Sequence, residues 1–564
     1  MRCRASSCGD RKPPPPSDEG THIPSNTQLV AAAAGLLLLA VAAQVAVYDR
    51  NFVPMDEGHL ALTASRLLDG DVLYRDIHTG IFPGAYALTA GLFAVFGEEL
   101  LVTRVAQIAV NAATCLLLLF VGLRVLPLRW AVLPPVLFVS LVWISFPVLT
   151  MLNYSALAGM LGLAALLAAL RYLEHGRSVD GLWIGLLVGA CLFTKQNYGG
   201  LAAIAIAGGL LLARSRSALH GRGLVAVFSP IVLAGTGFLV LSIGWLAATG
   251  TLAAWVDSTL LSLVGSQLES FDNPIPPILG PHPEGDVRFV YLYIPSALFD
   301  FLLRGDPFLG MPVDAGLISA SIRLFYGIPI LALVAAPAWL AWSAPEDRAA
   351  ITLVVVFAVV FFFGIFPSAV FSHLVYVLAP VLLLFAWLAS RAEARFGRGV
   401  FFASAAAAAA TLLATATIPL HVRDTYDTPS GLPHVAIDVA PGQAEIHRQA
   451  LRFIDDCARP GEPIFTLPIL PVLYLSSGHP NPVKWDLLIP GAIDQQAIIA
   501  TLERTRVRCV VKQRDMNPEF PPLADLYPEL NTYIERHYRK GRPLAGGGQL
   551  WHGLTRTAPF EGAP

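Results

Sequence analysis

Residues 83–96 read Pro-Gly-Ala-Tyr-Ala-Leu-Thr-Ala-Gly-Leu-Phe-Ala-Val-Phe, an apolar run of 14 residues. A membrane crossing needs roughly 20 apolar residues, so this run predicts an interfacial or re-entrant helix. The distinction decides the fold, because one more crossing here would reverse the direction of everything that follows. Around it, eleven longer apolar segments predict spans near 27–47, 101–123, 131–149, 154–172, 181–195, 198–213, 224–248, 323–342, 350–366, 373–390 and 400–418. With 83–96 excluded and the N-terminus inside, Arg124, Arg129, Arg171, Arg177, Arg214, Arg348, Arg391 and Arg398 all face the cytoplasm, while the short outer connections 150–153 and 367–372 hold no Lys or Arg. The positive-inside rule therefore predicts eleven spans, N-terminus in and C-terminus out.

The 564 residues are 55% apolar and only 14% charged, with a net charge of −2. A soluble chain carries about 25% charge, which excludes a single water-soluble enzyme, and near-neutrality implies no nucleic-acid partner. Of the 78 charged side chains, 31 lie in residues 419–564. The expected organisation is thus a polar, disordered cytoplasmic tail (1–26), a membrane part (27–418) with outer loops 48–100 and 249–322, and an extracytoplasmic domain (419–564). The first span, without a small-residue cleavage site, reads as a retained signal anchor.

In the last segment, residues 441–457 and 493–503 read as helices and 462–467 and 507–512 as strands, an alternation that predicts a small α/β layer domain. Cys457 and Cys509 fall there and suit either a disulfide in an oxidising space or two buried thiols. Gly546-Gly547-Gly548 lacks the strand–turn–helix setting of a phosphate loop. Residues 249–322 contain Asp272-Asn273-Pro274-Ile275-Pro276-Pro277-Ile278, bordered by Arg304 and Arg323. Such a segment cannot span and is expected to fold as a lid.

After the first span comes Val53-Pro54-Met55-Asp56-Glu57-Gly58-His59, followed by Leu60, Ala64, Leu67 and Leu68 on one helical stripe. That spacing predicts an amphipathic helix lying on the membrane surface. Asp56 at its start either caps the helix, with Glu57 complementing the dipole, or serves as a carboxylate at the lipid–water boundary whose burial tunes its pKa. Asp69-Gly70-Asp71 reads as a helix stop rather than a metal motif.

The run Asp56-Glu57-Gly58, then Leu68-Asp69-Gly70-Asp71-Val72-Leu73-Tyr74-Arg75-Asp76, Pro83-Gly84-Ala85-Tyr86, Phe96-Gly97 and Arg104 resembles the first-loop pattern of the GT-C glycosyltransferases. The likeness is to glycosyltransferase family 39 and its kin: protein O-mannosyltransferases, aminoarabinose transferases and core-galacturonosyl-transferase-like proteins. It implies a polytopic α-helical membrane protein with about 11 transmembrane helices and a small C-terminal α/β extracytoplasmic domain, in the plasma (inner) membrane. It further implies an inverting, polyprenyl-phosphate-sugar-dependent transferase, hexosyl or pentosyl, with a lipid, glycan or protein acceptor of the cell envelope. Asp56 matches the catalytic acid, which activates the acceptor nucleophile, and Glu57 the second acid. Tyr74, Arg75, Asp76 and His78 lie between the two interfacial segments and are expected near the same cavity, Arg75 as a donor-phosphate ligand and the others as substrate contacts.

Lys195 is the sole lysine between Lys12 and Lys484, in Phe193-Thr194-Lys195-Gln196-Asn197-Tyr198. A lysine at an outer helix end runs against the positive-inside trend, and an ionisable group there is a functional candidate. The resemblance implies that Lys195, with Gln196 beside it, contacts the donor phosphate. Asn153 stands where many members of the family carry Asp, and Asn is a poor metal ligand. No cofactor is therefore claimed, though a divalent metal is compatible. His373, ahead of Pro380, matches a histidine common before the penultimate spans and is a further candidate for substrate binding. Residues 473–486, ending in Lys484-Trp485-Asp486, resemble a segment of the outer domains of these enzymes, implying either acceptor recognition or support of the fold. Neither sugar nor acceptor is readable.

Two other classes compete. A transporter or lipid-linked sugar flippase predicts internal repeats and broken helices at the midplane. A non-catalytic envelope-assembly protein leaves Asp56 and Lys195 without a purpose.

Overall fold

The computed structural model describes residues 25–261, 271–283, 286–298, 315–343, 348–489, 493–514, 520–546 and 549–560. The tail 1–24, Arg304 and part of the expected lid lie outside the described residues. The first helices are α1 (Asn26–Val45), α2 (Asp56–Leu68), α3 (Gly84–Phe96), α4 (Leu100–Gly122), α5 (Leu128–Ala131), α6 (Leu133–Ile144), α7 (Tyr154–His175), α8 (Ser178–Thr194), α9 (Gln196–Ala213) and α10 (Leu224–Ala248).

Among the described residues, eight helices are long and apolar enough to cross a membrane, and Phe371–Val377 with Ala379–Phe396, bent by 60°, makes a ninth. Leu128–Ile144 and Ser178–Thr194 are shorter apolar helices at the two remaining segments that the sequence assigns to spans. At 17 residues, α8 rises about 25 Å, somewhat less than a hydrocarbon core of roughly 30 Å. The 13 residues of α3 reach only about 20 Å, and the helix ends at Gly97 with φ +93. Like α8 and Leu128–Ile144, it belongs to the shorter apolar helices.

The C-terminal segment carries the expected helices, Pro441–Cys457 and Gln495–Arg504, with Pro528–His537 added. Its sheet has the order β3-β4-β6-β5, where β3 is Phe465–Leu467, β4 Cys509–Gln513, β5 Tyr538–Gly546 and β6 Gln549–Arg556, and only the β3/β4 pair is parallel. A smaller pair, β1 (Thr428–Pro429) and β2 (Asp438–Val439), precedes it. Cys457 and Cys509 are joined in a disulfide, which settles the open choice between bridge and thiols.

The first loop differs from its expected placement. Leu60 and Ala64 are buried within protein, not laid on a bilayer. Ala61, Leu62 and Ala64 of α2, with Phe52, Ala90 and Phe93, join one core with Ile446, Val472 and Trp551 of the C-terminal segment. A Cβ on Gly58 would lie 3.1 Å from the Val472 amide nitrogen, so the glycine is what lets the two parts meet. Backbone bridges at Asn51 and Asp438 and the ion pair between Arg50 and Asp438 stitch the same seam. The membrane-surface prediction missed this because an amphipathic stripe states that a face is covered without stating by what.

Candidate active site

Helix α2 begins at Asp56 with Met55 as its N-cap residue, and no side chain caps it. The capping role considered for Asp56 is therefore not taken up, and the free N-terminal turn is tied by its neighbour: the Val53 amide donates to Glu57 Oε2 at 2.9 Å. Arg104 of α4 grips the same carboxylate at two points, Nη2 donating to Oε2 at 2.6 Å and Nε to Oε1. It also donates to the Asn51 carbonyl at 2.6 Å and to Thr150 Oγ1 at 3.2 Å. Fully buried, this pair is stabilised by paired charge and full hydrogen bonding. Glu57 is thus engaged by an ion pair with Arg104 and by the Val53 amide.

Asp56 is half-buried at the head of the helix. Burial pushes its carboxyl up to about 6, the Glu57 charge adding to the rise and His59 and Lys195 opposing it. An acid so placed is ionised at neutral pH yet basic enough to accept a proton.

Lys195 lies in the break between α8 and α9, with extended backbone (φ −149, ψ 114). Its Nζ donates to Ser155 Oγ at 2.7 Å and sits over the Tyr198 ring at 4.3 Å and the Tyr154 ring at 5.3 Å. The two rings and the hydroxyl hold a cation in a buried place without a carboxylate in contact. Lys195 lies within electrostatic reach of both Asp56 and His373. His373 donates from Nδ1 to the Ser368 carbonyl at 2.7 Å, which sets the orientation of its ring. Tyr376, which donates to the Val148 carbonyl at 3.0 Å, feels Asp56 and Glu57 as well.

The loop that carries α3 onto this site is fitted closely. A Cβ on Gly84 would stand 2.9 Å from both the Phe193 carbonyl and Thr194 Oγ1, immediately before Lys195. Gln196 Nε2 donates to the Gly80 carbonyl at 2.7 Å, while its Oε1 is buried with no hydrogen-bond partner. Gln196 is thereby a tether between α9 and the first loop.

Other expected residues are engaged in the fold. Tyr74 adopts φ +71 and donates to the Ile81 carbonyl at 2.8 Å. Asp76 accepts from the Val72 amide at 2.8 Å and from Arg75 at 2.7 Å, and the hydrogen bond from Arg75 holds its carboxyl below the usual range. Arg75 is exposed and is spent on Asp76, so the structure does not bring it to Lys195. Asn153 caps α7 through the Ser155 amide at 2.7 Å. The His78 amide donates to the Lys484 carbonyl at 2.7 Å, and burial pushes its ring down to about 4, helped by the Lys484 and His59 charges. Asp71 accepts from Arg66 Nε at 2.7 Å and follows Gly70 at φ +103, a helix stop as expected. Among the described residues no three His, Cys, Asp or Glu converge as a metal site. Glu57 is committed to Arg104 and Asn153 to its cap.

Sequence reading overlooked His59. One turn beyond Asp56, its Nε2 stands 3.3 Å from the Tyr86 hydroxyl and its Nδ1 3.6 Å from Asp486 Oδ2 of the C-terminal segment. Its i+3 spacing from Asp56 was the available signal.

The architecture is shared with solved membrane glycosyltransferases. ArnT from Cupriavidus metallidurans, bound to undecaprenyl phosphate, superposes with a TM-score of 0.52 over 96% of this chain and 100% of that chain, at 14% identity. The Archaeoglobus fulgidus oligosaccharyltransferase in complex with Zn and sulfate gives 0.51 over 93% of this chain and 73% of its own, at 12% identity. AglB of the same organism, with an inhibitory peptide and a dolichol-phosphate, gives 0.50 over 94% and 75%, at 11% identity. Neither a protein-family model nor a curated protein matches by sequence. The chain has the GT-C fold, a multi-pass membrane architecture with a small β-containing C-terminal region.

Proposed function

We propose that the chain is a glycosyltransferase that moves a sugar from a polyprenyl-phosphate donor to an acceptor at the outer face of the plasma (inner) membrane. The observation that carries this reading is the placement of Asp56 and Lys195 in one electrostatic neighbourhood, each at a helix end where its charge is held without a contacting counter-ion. The ArnT and AglB complexes, solved with undecaprenyl phosphate and dolichol-phosphate, support the donor class by analogy of fold.

The acceptor hydroxyl or amine gives its proton to the Asp56 carboxylate as its oxygen or nitrogen bonds the anomeric carbon. The bond from that carbon to the phosphate oxygen breaks, and the electron pair leaves with the polyprenyl phosphate. Negative charge grows on the leaving phosphate, where the Lys195 ammonium stabilises it. A compact ammonium suits a phosphate that must also be released. With one displacement and no second nucleophile, the anomeric configuration inverts. Glu57 and Arg104 hold Asp56 in register, and His373 lies within electrostatic reach of Lys195.

Orientation belongs to the proposal. The Cys457–Cys509 disulfide suits an oxidising compartment, and the arginine distribution puts that domain and the first loop on the same outer side. Purified protein mixed with radiolabelled polyprenyl-phosphate sugars and an envelope extract is expected to release free polyprenyl phosphate and label an acceptor. Failure with every donor, in protein that is folded, contradicts the reading.

A further inference from the structure

Asp486 comes from the C-terminal segment, is fully buried, and meets α2 of the first loop rather than its own sheet. Its Oδ1 accepts from Arg66 Nη1 at 2.7 Å and from Asn481 Nδ2 at 2.8 Å. Its Oδ2 has no partner within hydrogen-bond distance and faces His59 Nδ1 at 3.6 Å. The other ring nitrogen of His59 faces the Tyr86 hydroxyl, which also bonds Thr79 Oγ1 at 2.8 Å. The ring is edge-on to Tyr86, with the planes at 78°. A carboxylate facing one nitrogen and a hydroxyl beside the other hold the imidazole between the two segments.

We propose, building on the glycosyltransferase reading, that Asp486 is a positioning residue through which the C-terminal domain orients His59 and sets the charge beside Asp56. The site is then incomplete without that domain, and sugar transfer is linked to its docking on the first loop.

Charges near Asp56 support the direction of the effect. Glu57, His59 and Lys195 act on it, and Asp486 reaches it only by way of His59. Around His59 stand Asp56 and Arg66 of α2, Tyr86 of α3, His78 of the loop, and Asp486. Lys484 and Asp257 of the 249–322 segment act on His78. Burial alone would raise the Asp486 carboxyl, but the nearby His59 and Arg66 side chains hold it below the usual range. A carboxylate 3.6 Å from an imidazole nitrogen favours the charged form of that ring over the neutral one. Losing it lowers the positive charge facing Asp56, whose pKa then rises.

Two readouts test this. In Asp486→Asn and in His59→Gln, the acid limb of kcat/KM against pH is expected to move up by roughly half a unit to one unit, and the double variant should move no further than either single one. His59→Gln removes a partly exposed ring, so it remains informative if Asp486→Asn fails to fold. Activity that falls with an unmoved limb would assign both residues to packing alone and overturn the proposal. Independently of any transfer assay, hydrogen–deuterium exchange at histidine C2 followed by mass spectrometry gives the His59 midpoint in the full-length protein. A downward shift in Asp486→Asn supports the link even if no sugar donor is found, and an unchanged midpoint refutes it.

Discussion

Glu57 and Arg104 stand 47 positions apart yet form a two-point ion pair in which neither side chain is more than 1% exposed. The pair fastens the start of α2 to α4, and so fixes the one carboxylate of the first loop that faces the site without an ion-pair partner. Breaking such a pair strands a buried charge, at about 3–5 kcal/mol. Arg104→Ala and Glu57→Ala are each expected to lower the detergent melting temperature and abolish activity. Their double variant should lose much less than the sum, because neither charge is then left alone. Additive losses in a thermal-shift series would show that the two residues act independently.

Lys195 is held by Ser155, Tyr154 and Tyr198, a setting shaped for a compact ammonium. Lys195→Ala should weaken polyprenyl-phosphate binding by about 10- to 100-fold, the worth of a hydrogen bond to a charged group. Lys195→Arg should not restore it fully, since a planar fork places its charge and donors differently from a compact ammonium. Binding by tryptophan fluorescence or calorimetry decides, and unchanged affinity in the alanine variant would remove Lys195 from the donor site.

Gly84 allows α3 to touch the Phe193–Thr194 backbone just before Lys195, where a Cβ would come within 2.9 Å. Gly84→Ala should therefore destabilise the protein by about 1–3 kcal/mol and weaken donor binding together. Gly91→Ala on the same helix, where a Cβ meets nothing within 4 Å, is the matched control and should be silent.

Topology is open to chemical labelling. An impermeant maleimide on intact cells is expected to modify Asp69→Cys in the first loop and not Arg177→Cys between α7 and α8, both exposed positions. Cys457 and Cys509 should react only after reduction. The reverse labelling pattern would invert the whole arrangement.

Local patterns in the chain carried the helices and the two charged residues at helix ends, because hydropathy, length and charge act within one segment at a time. Asp56 and Lys195 stood out because a charge is costly there. The partners of those residues were beyond such reading. Arg66 and Asp486 lie 420 positions apart, and nothing local to either signals the other. The apolar stripe of α2 was visible, but its covering by Trp551, Ile446 and Val472 depends on how the last 146 residues fold back. Tyr74, Asp76 and Asn153 carry polar groups suited to a ligand, and the fold spends them on turns and a helix cap. Composition cannot separate those two uses, since both ask for the same donors and acceptors.

The central claim is that Asp56 is the base. With its pKa raised to about 6, the protonated form is favoured in the fold. Its stabilising contribution is present below the unfolded value near 3.8 and lost as pH rises through about 6. Asp56→Asn should therefore be at least as stable as the parent at pH 7.5, with the difference vanishing below pH 4. The most direct measurement is sugar transfer from labelled polyprenyl-phosphate donor by this folded variant beside the parent, across pH 5 to 8. Parent activity is expected to decline as pH falls through about 6, with a loss of about 1,000-fold or more in Asp56→Asn at every pH, the order of a missing general base. Transfer by Asp56→Asn within a few-fold of the parent would contradict it.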